Sequence, residues 1–101
     1  MGQFTEAAND FMSILDEYPG DLDALIGIAD MYQVRGDFLR ASHFLERALK
    51  ANPTDERAYL ARGLFELSQN NKEKARADIM KAYAINPYNP KVHYAFKKNN
   101  F

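Results

Sequence analysis

The chain has 101 residues, 47% of them apolar and 27% charged, with no cysteine. That is the make-up of one folded domain, and it excludes disulfides, cysteine-held zinc, iron–sulfur clusters and thiol catalysis. The formal charge of −1 hides two opposed blocks: residues 1–34 hold seven acids and no Lys or Arg, a net of −7, while residues 35–101 hold thirteen bases against seven acids, a net of +6. The longest uncharged apolar stretch, Ala24 to Ala29, falls far short of the roughly 20 residues that cross a bilayer, so no membrane insertion is expected. Met1 leads into polar and acidic residues with neither a basic nor an apolar region behind it, so no secretory signal is expected and the cytoplasm is the default compartment.

Apolar residues recur at helical rather than alternating spacing along the whole chain. The first helix is expected over about residues 4–17, with Phe4, Ala7, Ala8, Phe11, Ile14 and Leu15. That stripe is wider than one contact needs, and a further helix packed upstream would explain it. Pro19-Gly20 stops it. Asp21 then offers a side-chain oxygen to the free amides of a second helix over about 22–34. Gly36-Asp37 breaks the chain before a third, about 38–51, with Phe38, Ala41, Phe44, Leu45, Ala48 and Leu49 on one face. After Pro53, Asp55 caps a fourth helix over about 56–68; Asn70-Asn71 separates it from a fifth over about 72–85. Pro87 ends that one. Asn89 caps a sixth, about 90–99, whose Pro90 sits where a missing backbone N–H costs nothing. The connections are a few residues long, which makes neighbouring helices antiparallel.

The punctuation has a period of 34 residues. Pro19, Pro53 and Pro87 are spaced by it, as are Asp21, Asp55 and Asn89, then Ala7, Ala41 and Ala75, then Phe11, Leu45 and Ile79. Four columns share one register. With these marks the chain resembles a tetratricopeptide-repeat (TPR) array: residues 22–55 supply Leu25, Ile28-Ala29, Tyr32, Gly36, Phe38, Ala41, Leu45, Ala48 and Pro53, and residues 56–89 supply Tyr59, Gly63, Ala75, Ile79, Ala82 and Pro87. The resemblance implies an all-α, right-handed superhelical solenoid of antiparallel helix pairs with about six helices. It divides the chain into a half repeat 1–21 (with Gly2, Phe4, Ala7, Phe11 and Pro19), repeats 22–55 and 56–89, and a half repeat or capping helix 90–101, either a slice of a longer array or a small array of its own. Lys97-Lys98-Asn99-Asn100 is polar enough to serve as a cap. The sequence departs from the pattern at Glu66, where a tyrosine is usual, at Lys72, where an aromatic is usual, and at Ile14, where a small alanine normally lets helices approach.

Chemistry is sparse. His43 is expected on a solvated face and His93, in a slot the family usually gives to a large aromatic, in a packed position; they are fifty residues apart in sequence. There is no HExxH, GxGxxG, GxxxxGK[ST] or serine elbow, and Ser13, Ser42 and Ser68 have no nearby base in sequence. Asp55-Glu56 suits a first helical turn and Asp16-Glu17 a solvated surface, so neither pair needs a catalytic role. No enzyme activity, cofactor or metal is expected. Nucleic acid is not an expected partner either, because the bases of the later repeats occur on both helices and are interleaved with acids.

In the family, the first helices of successive repeats line a concave groove. The resemblance places there Asp23, Ile26, Gly27, Asp30, Gln33 and Val34, then Arg57, Leu60, Ala61, Leu64, Leu67 and Ser68, then Lys91, Tyr94, Ala95 and Lys98. Leu60, Leu64, Leu67, Ile26 and Tyr94 would form contiguous apolar surface, suited to an extended peptide or amphipathic helix of a partner protein; they could equally be packed against neighbouring helices. TPR domains that clamp a chaperone's C-terminal carboxylate use Lys and Asn, then Asn, then Lys and Arg at positions that here hold Ile26 and Asp30, Leu60 and Leu64, Tyr94 and Lys98. Only Lys98 suits that chemistry. The leading expectation is a non-catalytic protein-interaction module with a peptide or helix in its groove. The alternative is an assembly element that forms homo-oligomers head to tail through its opposed acidic and basic ends.

Overall fold

The computed structural model describes residues 2–99, with side chains from Glu6 onward. Six helices form: α1 (Gly2–Glu17), α2 (Leu22–Val34), α3 (Phe38–Ala51), α4 (Glu56–Ser68), α5 (Lys72–Ile85) and α6 (Pro90–Lys98). No strand occurs among the described residues. All six agree with the expected spans to within two residues. The chain divides after Asn52 into two compact units.

In the first unit, α2 and α3 form an antiparallel hairpin around Leu25, Ile28, Ala29, Ala41, Phe44, Leu45 and Ala48, all buried. Asp21 accepts the Ala24 amide at 2.9 Å, the cap expected from the sequence, and Asp37, read there only as part of a break, accepts the Arg40 amide at 3.2 Å and caps α3 as well. Between the helices Gly36 takes φ +80°, the left-handed conformation in which a Cβ is penalised. Its N–H donates to Gln33 and that of Asp37 to Tyr32, the paired bonds of a Schellman stop. Tyr32 and Phe44 stack with centroids 5.7 Å apart. α1 packs on α2 through buried Leu15 and through Phe11, whose ring lies so close to Gly27 that any side chain there would overlap it. The side chain of Phe4, assigned to the same stripe, lies outside the described residues, as does Asn100. Ile14, in the slot where a small residue is usual, is left exposed. The Asn52 side-chain amide donates to Gly20 O at 3.0 Å, fastening the α1–α2 turn to the end of α3.

The second unit repeats the plan. Asp55 accepts the Arg57 amide at 3.0 Å and Asn89 those of Lys91 and Val92, again as the sequence indicates. Asn70 takes φ +63° at the place corresponding to Gly36, and the Asn70 and Asn71 amides donate to Leu67 and Glu66, the same stop. Glu66, in the usual tyrosine position, accepts the Asn71 side-chain amide at 2.8 Å and braces that turn. Lys72 is simply exposed at the start of α5. Leu60, Ile79, Ala82, Val92 and Ala95 form a core joining α4, α5 and α6, and burying such side chains contributes on the order of 1.5–3 kcal/mol for each large one. Within it Asp78 is buried and receives a two-pronged guanidinium from Arg62, Nε to Oδ2 at 2.9 Å and Nη2 to Oδ1 at 2.8 Å.

Candidate partner-binding groove

Asp23, Ile26, Asp30 and Gln33 follow one another three or four residues apart, so they share one face of α2. Asp23 and Asp30 are exposed; Ile26 and Gln33 are half-buried. Partial shielding of its carboxyl pushes the pKa of Asp30 up from the ordinary range, because the charged form loses hydration. This face is acidic and only thinly apolar.

The second unit carries the more distinct surface. α4 and α6 pack alongside each other, and between them lies an open trough of 420 Å³ lined by Leu64, Leu67, Pro90, Lys91, Tyr94, Ala95, Lys98 and Asn99. Six of the groove residues expected from sequence thus come together: Leu64, Leu67, Lys91, Tyr94, Ala95 and Lys98. Leu64 is 47% exposed and Tyr94 64%, values that separate them from the core side chains below. The only charges in the lining are the two lysines, and Lys98 Nζ stands 5.5 Å from the centre of the Tyr94 ring. That contact favours a fixed cation over the ring face.

Four expected members of this unit, Arg57, Leu60, Ala61 and Ser68, are not part of the trough lining. Leu60 is 5% exposed and belongs to the core with Val92 and Ala95, so it supports α6 from beneath rather than offering surface. Arg57 sits at the start of α4 and is held by Asp55, with Nη2 to Oδ2 at 3.0 Å. The guanidinium hydrogen bond holds the Asp55 carboxyl below the usual carboxylate range. The histidines divide as well. His43 is exposed as expected; His93, expected to be packed, is exposed too, its ring tilted against that of Tyr83 with centroids 6.3 Å apart. Asp16 and Glu17 are both exposed, as solvated residues should be. Among the described residues no three His, Asp or Glu side chains converge as a metal site would require, and no helix is long and apolar enough to cross a membrane.

No curated protein matches the chain in sequence. Among solved structures it is similar to one described as the first TPR of Spaghetti (RPAP3) bound to HSP90 peptide SRMEEVD, with a TM-score of 0.78 and 21% identity over 98% of this chain and 79% of that one. The likeness extends the all-α helical-repeat reading to nearly every residue. Models of the tetratricopeptide repeat match residues 1–65 and, separately, residues 56–89. With the 34-residue period, the paired helices and both Schellman turns in place, the chain belongs to the tetratricopeptide-repeat family.

Proposed function

We propose that the chain is a non-catalytic protein-interaction module that holds a peptide or helix of a partner protein, with the α4/α6 trough as its anchoring pocket. The observation that carries this reading is the exposure of Leu64 and Tyr94 on opposite walls of one apolar trough whose charged rim is entirely basic. Exposed apolar surface loses roughly 25 cal/mol for every Å² left in water, and a partner side chain seated between Leu64, Leu67 and Tyr94 would recover it. The walls are rigid helices, so little of the site has to be ordered on binding. A structural relative recognises a chaperone peptide, which supports the same general mode. The grip differs, because the carboxylate-clamp positions hold Ile26, Asp30, Leu60, Leu64, Tyr94 and Lys98. An apolar anchor, not a terminal carboxylate, is the chemistry that fits.

The test is selection of displayed random peptides on the whole chain, followed by retesting on Leu64→Glu. Leu64 is half out of the fold, so the helical circular-dichroism signal should stay within a few per cent. Peptides should bind the variant at least about tenfold more weakly, the ~1.4 kcal/mol expected when a charge is set in an apolar contact. Peptides that bind both proteins alike would remove the trough from the reading.

A further inference from the structure

α1 carries Glu6, Asp10, Asp16 and Glu17 and no base, whereas α6 carries Lys91, Lys97 and Lys98 and no acid. These two helices also correspond, through the 34-residue period, to the two members of one helix pair: α6 is placed in its repeat as α4 is, and α1 as α5 is. The α4–α5 hairpin therefore indicates which residues would meet if an α6 received an α1. At Gly63 on α4 a Cβ would lie 3.3 Å from the Asp78 Cβ of α5. One period on, Gly63 becomes Lys97; two periods back, Asp78 becomes Asp10. An opposite-charge pair thus falls on a position of direct contact, and both side chains are exposed. Neither has an ion-pair partner among the described residues. Beside Asp10, α1 exposes Ile14; beside Lys97, the half-buried Phe96 ring is stacked on Tyr83 with centroids 4.1 Å apart.

We propose that α6 of one copy receives α1 of a second copy in the way that α4 receives α5, with Lys97 against Asp10, so that the chain self-associates head to tail. Such a contact is heterologous: it joins two different surfaces, α6 of one copy and α1 of the next, so association of the 101-residue chain is open-ended and concentration-dependent. Lys97 stands where α4 has a glycine, which spaces the two helices more widely than within a hairpin and makes charge, rather than close packing, the main selector. The trough wall formed by Leu64 and Leu67 of α4 lies outside this contact, and the inference does not depend on the proposed function.

Sedimentation equilibrium of the 101-residue chain tests it. Average mass should rise above 11.6 kDa with concentration. It should fall back as salt is raised from about 0.01 M to about 0.15 M, where the Debye length shrinks from ~30 Å to ~8 Å. Asp10→Lys and Lys97→Glu should each weaken self-association about tenfold, by turning attraction into repulsion. Mixing the two single variants should restore salt-sensitive growth with the variants alternating, because each contact between unlike copies pairs opposite charges and each contact between like copies pairs equal ones. Three results overturn the proposal: a monomer at all concentrations in low salt, single charge reversals that leave the mass unchanged, or association abolished by Leu64→Glu, which would put the second copy in the trough.

Discussion

The hairpins α2–α3 and α4–α5 share a backbone plan and fill it with different chemistry. Where the first has Ile28 and Phe44, both buried, the second has Arg62 and Asp78 in a two-pronged ion pair, in the same two columns of the repeat. Where Tyr32 stacks on Phe44, Glu66 braces a turn asparagine. Gly36 and Asn70 occupy the same left-handed position. What persists is therefore the set of stops and caps, which fixes helix length and direction. The interior between them accepts either apolar contact or a satisfied polar network, because both leave no buried group without a partner.

The strongest way to break this equivalence is to spoil the polar version. Asp78→Ala removes the two-pronged acceptor of the partly buried Arg62 guanidinium and should cost about 3 kcal/mol, read as a lower urea midpoint. Changing both residues together, Arg62→Ile with Asp78→Phe, puts the first hairpin's pair into the second and should be neutral or stabilising by up to ~3 kcal/mol. A double variant as unstable as Asp78→Ala would mean that the two interiors are not interchangeable. A smaller effect is expected at the turns, since Asn70→Gly relieves a left-handed non-glycine residue and should raise stability by roughly 0.5 kcal/mol. The smallest is a pH effect. Asp55 has a folded pKa below its unfolded one, so its stabilisation is present above the unfolded carboxylate range and is lost as pH falls through the lower, folded value. Solvent screening limits it to at most ~0.5 kcal/mol, and Asp55→Asn should flatten that part of the acid limb of the stability–pH curve.

The helices, their caps and their stops were legible because each depends on a residue and its near neighbours: Asp21 needs only the amide of Ala24, and Gly36 only its own φ. The columns at 34-residue spacing then tied local signals together. The trough was legible in part. Leu64, Leu67 and Tyr94, which the repeat places on one surface, do line it together, whereas Leu60, placed on the same surface, is core. One helical turn separates Leu60 from Leu64, and which of them α6 covers is decided by how Val92 and Ala95 pack, a tertiary fact. The usual aromatic in its column implies a packed His93, yet the residue is exposed, with its ring 6.3 Å from that of Tyr83 between centroids. The Arg62–Asp78 pair went unnoticed, since two opposite charges sixteen residues apart look like ordinary surface. Its signal lay in the columns: an apolar pair in one repeat replaced by a charge pair in the next, at both positions at once.

The amide of Asn52 has a kinetic meaning. Contacts inside each hairpin join residues close in sequence and can form in the microsecond-to-millisecond range typical of local helical topologies. The bond from Asn52 to Gly20 spans 32 residues. It encloses α2 and α3 in one loop, and loops of that length close only after their interior has collapsed, because closure costs entropy before it is rewarded. Asn52→Ala is therefore expected to speed unfolding of the first unit and to leave its folding rate nearly unchanged, read from the two limbs of a chevron plot.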